Sequence, residues 1–287
     1  LVSELAGDGI PVAVSCRVLK LARAPYYRWL RTPVGPAEKL RLERIAALRV
    51  AHTDDAEFGY RLLADEARQA GFAMADRTAW RLCRESGIMS AIVKNRKRQG
   101  KKPGPPVADD LVRRDFTAGG PNQLWLVDIT EHRTRERKIY LCAVKDVFSR
   151  RIVGYSISDR MKARLAVDAV NHAVSRRGNA TGCIVHSDRG SQFRSRKFLH
   201  ALITHGLVGS MGRVGAAGDN AAMESFFALL QNNVLNRRTW ITRDQQRLAI
   251  VWWIERTYHR KRRQAALGRL TPVEFETMMA APVALAA

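Results

Sequence analysis

The sequence predicts a mixed α/β domain preceded by an all-helical N-terminal region. Three observations point there. Roughly the first ninety residues read as short helices, three β-rich runs then follow one another from Gln123, and beyond them short apolar strands alternate with helical segments. The order of the second part, βββαβαβα, describes an α/β layer built on a mixed sheet.

The opening helices fall at about residues 2–6, 12–21 and 25–30, with breaks at Gly7, Asp8 and Gly9 and around Arg23 and Ala24. Past Pro33 and Pro36, the spacing of Leu42, Ile45 and Leu48 marks a helix over 38–51. Residues 60–70 and 76–86 form two helices about a turn at Gly71, the form of a helix-turn-helix, although plain packing uses the same pattern. The run KNRKRQGKK at 94–102 gathers Lys94, Arg96, Lys97, Arg98, Lys101 and Lys102 with no acid and leads into Pro103, Pro105 and Pro106. It reads as a linker that also neutralises phosphates.

LWLVDIT, KIYLCAVKDV and RRIVGYSI are separated by polar turns at 132–137 and 148–150, which predicts an antiparallel meander. A helix over 162–177, a strand at 182–187, a helix near 196–205, a strand at 207–210 and a helix from about Asn220 complete the layer. Beyond Trp240 a long helix over 243–263 is expected to end in a basic run before LGRLTPVEF. The chain therefore divides into a helical region at 1–57, a helix-turn-helix-like unit at 58–93, a basic linker at 94–121, an α/β core at 122–236 and a basic helical extension at 237–287.

Lys and Arg outnumber Asp and Glu by 49 to 27, and the net charge of +22 favours polyanions, nucleic acid first among them. No apolar run approaches the roughly 20 residues that span a bilayer, and the start LVSELAGDGIPVAVSC lacks a basic leader, so a cytoplasmic location is expected. Cys16, Cys83, Cys142 and Cys183 are scattered and read as small buried hydrophobes rather than disulfide or zinc ligands. Trp125, Trp252 and Trp253 read as core.

Three acids stand out. Asp128 sits among Leu124, Leu126, Val127 and Ile129 in a strand, a costly place for a carboxylate without a compensating partner. Asp188 follows a strand and opens the turn DRGSQF, where it could also serve only as a turn former; Glu224 stands near a helix start, where it could only complement the dipole. With 59 residues between the first two and 35 between the last two, a strand acid, a post-strand acid and a helix acid can converge. Two hard cations about 3.5–4 Å apart need several anionic oxygens, and three carboxylates supply them while leaving room for phosphate and water.

WLVDIT, AVKDVFSRRIVGYSI, HSDRGSQF, GDNAAMES and YHRKRRQAALGRLTPVEF, in that order, resemble the DDE transposases of bacterial insertion sequences, the large reading frame related to retroviral integrases. CRVLKLARAPYYRWL and the segment from FGYRLLADEA to LCRESGI resemble that family's upstream helical units. The resemblance implies a ribonuclease H-like core in which Asp128, Asp188 and Glu224 are catalytic and bind Mg²⁺ or Mn²⁺, two ions per site. It implies DNA cleavage at element ends and strand transfer, with terminal repeats and target DNA as partners, a homo-oligomer on DNA, and room for a DNA-binding partner from an upstream frame. A hydrolytic nuclease of the same fold and an inactive DNA-binding derivative are the alternatives.

Around the acids, His186, Arg189, Ser191 and Gln192 either orient phosphate or serve structure, and Gly215, Gly218, Asp219 and Asn220 form a loop that could clamp DNA or cap the helix. Many relatives carry Lys or Arg seven residues after the glutamate; Gln231 stands there, expected on the Glu224 face and toward DNA, with Arg189 and the segment carrying Arg256, Arg260, Lys261, Arg262 and Arg263 supplying charge instead. Replacing all six cations of the 94–102 run by Gln should weaken binding to every duplex. Salt titrations should show the slope reduced by about 0.9 for each phosphate no longer neutralised, and an unchanged slope would reduce the run to a passive tether.

Overall fold

Successive side chains of β1 (Leu124–Arg133) serve opposite faces, as the pleat requires, and both faces are covered. A computed structural model of the chain describes residues 1–31, 34–91, 105–212 and 221–280. The basic run at 94–102 and the loop residues Gly215, Gly218, Asp219 and Asn220 lie outside the described residues.

The chain divides into two compact units, residues 1–53 with 63–89 and residues 54–62 with 90–287. The first contains α1 (Val2–Gly7), α2 (Val12–Val18), α3 (Arg23–Arg31), nearly all of α4 (Pro36–Asp54), most of α5 (Tyr60–Gln69) and α6 (Asp76–Glu85). Leu63, Ala64 and Ala67 of α5 and Ala79, Leu82 and Cys83 of α6 are buried. Arg68 closes the turn between these helices, pairing with Asp65 at 2.6 Å and with Asp76, and donating through Nε to the Met74 carbonyl at 2.8 Å.

The second unit holds one five-stranded sheet. The meander is β1, β2 (Lys138–Asp146) and β3 (Ile152–Ser158); α7 (Ala163–Arg177) leads to β4 (Ile184–Ser187), and α8 (Arg196–Thr204) to β5 (Val208–Met211). The strand order is β3-β2-β1-β4-β5, with β2 antiparallel to both neighbours and β1, β4 and β5 parallel. This is the ribonuclease H-like arrangement. Trp125 and Val127 face α7 and α8, packing with Ala166, Ala169, Val170, Phe198 and Leu202. Leu124 and Leu126 face the other way, toward Met223, Phe226 and Leu230 of α9 (Ala221–Asn233) and Ile250 of α10 (Arg243–Trp252).

Helix α3 starts at Arg23, so the break expected around Arg23 and Ala24 falls earlier, at residues 21–22, and three further elements depart from the sequence reading. Strand β1 continues to Arg133 instead of ending near Thr130, because the ladder with β2 runs on to Arg133 opposite Lys138 before Thr134 and Arg137 close the turn. The expected helix over 243–263 stops being an α-helix at Trp252: Trp253–Tyr258 form a π-turn, in which the extra residue per turn directs Trp253, Ile254, Thr257 and Tyr258 all into the core. Trp253 and Tyr258 there meet Phe226, whereas Trp252, expected in the core, is 58 % exposed. Last comes α11 (Pro272–Ala280), absent from the sequence reading, which starts with a reciprocal cap: Thr271 Oγ1 accepts from Glu274 N at 3.2 Å and Glu274 Oε2 from Thr271 N at 2.8 Å.

Helix α7 lies close on β3 because Gly154 has no side chain. A Cβ there would stand 2.3 Å from the Ala169 carbonyl oxygen and 2.5 Å from Ala173 N, backbone atoms that cannot turn aside. Gly154→Ala should therefore push α7 off the sheet and lower stability by about 1–3 kcal/mol, read as an earlier urea midpoint. An unchanged midpoint would contradict the close packing of α7 on β3.

Candidate active site

Three acids are brought to one face of the sheet. Asp128 shares the α9-facing side of β1 with Leu124 and Leu126, and its Oδ1 accepts from the Ile129 N–H at 2.7 Å. The parallel register pairs Leu124 with Ile184 and Val127 with Ser187, so Asp188, the next residue after β4, falls beside Asp128. Asp188 is exposed, and its Oδ1 accepts from Gly190 N at 2.9 Å. A Cβ on Gly190 would stand 2.8 Å from the same carboxylate oxygen, so a larger residue there would require the Asp188 side chain to shift. Glu224 is exposed in the first turn of α9, whose Met223, Phe226 and Leu230 are buried against the sheet.

Burial raises the Asp128 carboxyl to about 7, helped by the negative charges of Asp188 and then Glu224 and opposed by the Ile129 hydrogen bond. Among the described residues no three His, Cys, Asp or Glu side chains are gathered closely enough to cage a metal ion. The donors nevertheless suit a hard divalent cation in kind: carboxylate oxygens only, mutually repelling, with one acid held partly protonated for want of positive charge.

One positioning group escaped the sequence reading. Lys145, opposite Leu126 on β2, is buried, and its Nζ donates to the Ala222 carbonyl at 2.9 Å, in the turn of α9 that carries Glu224. Burial, and then the charge of Arg150, lowers its amine to about 7. A lone lysine within the apolar run YLCAVKDV was the available signal.

The remaining candidates divide by their partners. Arg189 donates through Nε to the Gly212 carbonyl at 2.8 Å, at the edge of the acid cluster. His186 is buried, with Nδ1 2.9 Å from Ser210 Oγ and its ring edge against Phe116, and Gln192 bonds the Met161 carbonyl at 3.2 Å. Ser191 Oγ meets Gln192 Oε1 at 3.4 Å. Gln231 donates to Asn236 Oδ1 at 2.6 Å and reaches His132, four residues beyond Asp128 on the same side of β1. Arg256, Arg260 and Lys261 are exposed cations. Arg262 is nearly buried, pushed down to about 9 by that burial, and pairs with Asp55 and, at 3.6 Å, with Glu57; Arg263 pairs with Glu274 at 3.6 Å and donates to the Arg269 carbonyl. These last two are internal ion pairs, not free surface charges.

Residues 118–217 and 205–272 match family models described as integrase core domain. Over 269 residues the chain is 36% identical to the transposase InsF for insertion sequence IS3A of Escherichia coli (strain K12), covering 92% of this chain and 93% of the relative. It is 33% identical to an uncharacterised 31 kDa protein of insertion element IS600 from Shigella sonnei, covering 91% and 96%. A solved structure of the HTLV-2 integrase catalytic core domain in complex with magnesium is similar at a TM-score of 0.43 and 17% identity, covering 56% of this chain and 99% of that one. With an integrase core joined to a helical N-terminal region, the chain belongs to the IS3 family of insertion-sequence transposases.

The raised carboxyl of Asp128 has a measurable consequence in ion-free protein. Its folded value, about 7, lies above the ordinary 3.8, so the stability linked to its protonation is present at low pH and is lost as pH rises through about 7. Asp128→Asn keeps the hydrogen bond from Ile129 without the charge. In chelator the variant should melt above the parent by a margin that grows from pH 4 to pH 8, reaching roughly 2–4 kcal/mol. A margin independent of pH would mean that the site does not hold this carboxyl under strain.

Proposed function

We propose that this transposase cuts DNA at the ends of its insertion sequence and joins the freed 3′ ends to a second phosphodiester, with Asp128, Asp188 and Glu224 as the catalytic acids. The observation that supports this reading is the register that sets Asp188 beside Asp128, with Glu224 near enough that both charges add to the burial that raises the Asp128 carboxyl. The three carboxylates would hold Mg²⁺ or Mn²⁺, two ions per site, whose Lewis acidity acts on the attacking and leaving oxygens of the phosphodiester.

The protein's own share is rigidity and access. Asp128 is fixed by a strand hydrogen-bonded on both edges, and Glu224 by a helix anchored to β2 through Lys145. The small residues of the turn after Asp188 let a sugar-phosphate backbone come near. In the first step a water oxygen bonds to phosphorus, the bond to the 3′ oxygen breaks, and that oxygen takes a proton to become a 3′-OH. In the second, this hydroxyl loses its proton, bonds to another phosphorus and displaces a 3′ oxygen there. One P–O ester is exchanged for another, so no external energy source is needed. Arg256, Arg260 and Lys261, with the six cations of the 94–102 run, are the proposed contacts to phosphate, and the protein would act on DNA as a homo-oligomer.

Asp128→Asn, Asp188→Asn and Glu224→Gln should each abolish cleavage and joining while retaining most affinity for DNA, since each removes an anionic oxygen with little change in volume. Incubation of the protein with its element's own ends and Mg²⁺, read as nicked and joined products, decides this. Near-parent strand transfer by any one variant would remove that residue from the catalytic set, and nicking without joining by the parent would make the protein a nuclease.

A further inference from the structure

A cavity of 490 Å³ opens between the β1–β2 hairpin, the end of α9 and the start of α10, within the unit that contains the sheet. Its volume is within the range of about 300–1,000 Å³ usual for small-molecule sites. The lining is mostly polar, with Leu235 and Trp240 as its apolar part: His132, Gln231, Asn236 and Gln246 offer ring and carboxamide groups, and Arg133, Arg135 and Arg238 offer positive charge against the single acid Glu131. Gln246 is buried, only 1 % exposed, with Oε1 left without a hydrogen-bond partner among the described residues, whereas buried His132 has Gln231 beside it. A group such as the Gln246 oxygen is costly unless something meets it.

Positive charge exceeds negative here: Glu131 is paired with Lys138 at 2.8 Å and also feels the charge of Arg133. Arg133, Arg135 and Arg238 make no ion pair among the described residues, whereas Arg243, at the neighbouring 580 Å³ groove, is taken by Glu136 at 2.9 Å and Asp159 at 3.5 Å. The Arg238 guanidinium lies over the Trp240 ring at 4.1 Å, which gives the cavity a flat cationic plate. A guanidinium so held can stack a nucleobase on its free face, and carboxamide and imidazole groups can bond base edges.

We infer that this cavity receives one unpaired nucleotide of a DNA strand, its base against Arg238, Gln246 and His132 and its phosphate on Arg133 and Arg135. The inference rests on the DNA chemistry proposed above and names a subsite of it. His132 lies four residues along β1 from Asp128, about 13 Å at the rise of a strand, so the subsite stands a few nucleotides from the acids. A duplex cannot enter a cavity of this size; a strand end peeled from its partner can.

The test is equilibrium binding by the full chain, in chelator, of a blunt duplex and of the same duplex carrying a short unpaired tail with 2-aminopurine. The parent should bind the tailed duplex more tightly and change the 2-aminopurine emission. Arg135→Gln and Gln246→Leu should each lose about fivefold or more on the tailed duplex and stay within about twofold on the blunt one. Arg135 is exposed, so its variant decides the matter if Gln246→Leu does not fold. Equal losses on both duplexes, or a parent without preference, would overturn the inference by making the cavity wall a general phosphate surface. A tail preference that the variants lose, in a protein that neither nicks nor joins DNA in Mg²⁺, would uphold the subsite while refuting the proposed reaction.

Discussion

The pairing of β1 on both edges constrains everything around it. Its backbone is spent on β2 and β4, its two faces are covered by α7 and α8 on one side and α9 and α10 on the other, and a charge on it has few neighbours to answer it. Asp128 occupies that position. The register with β4 then decides where Asp188 falls: a slip of one residue would send Asp188 to the opposite face, because the side-chain period of a strand is two. The site therefore depends on a ladder more than on any direct bond among the acids.

The region after α9 is part of the sheet's support. The Tyr258 hydroxyl donates to the Arg150 carbonyl at 2.8 Å, and His259 Nε2 accepts from Ile152 N at 3.1 Å, so the end of the π-turn and the residue after it hold the β2–β3 connection. Arg151 and Arg177 pair with Glu276 of α11 from the other direction. A stretch whose sequence advertises mainly positive charge is anchored by these buried polar contacts, and its exposed cations, Arg256, Arg260 and Lys261, stand on that footing.

Much of this was legible in the sequence, for definable reasons. The meander, the two following β-α alternations and the acids appear because strand and helix periods differ and because a carboxylate in an apolar run is conspicuous. The fates of Arg262 and Arg263 were not legible: a basic run looks the same whether its members face water or are closed by Asp55, Glu57 and Glu274, and the first two of these acids lie some two hundred residues away. The π-turn was hidden too, since its period of about 4.4 residues leaves no mark over six. The start of α11 was different. T-P-V-E carries a capping box with proline at the first helical position, a local signal that is present in the sequence and sufficient to mark a helix start there.

Asp55 gives the chain an unusual division of material. Residues 54–62 belong with the sheet, although the residues on either side of them belong to the helical unit. Their attachment is the buried pair of Asp55 with Arg262, reinforced by Asn232 donating to Glu57 and by Ala56 N donating to Asn233 Oδ1 at 3.1 Å. Anyone cutting out the integrase core as a separate fragment would be tempted to begin at the proline-rich segment after the basic run. Such a fragment would retain Arg262 in its enclosed position and discard the carboxylates that neutralise it, leaving an uncompensated charge inside the protein. A self-sufficient piece has to carry the short acidic segment as well, through a longer fragment, a circular rearrangement or a separately supplied peptide.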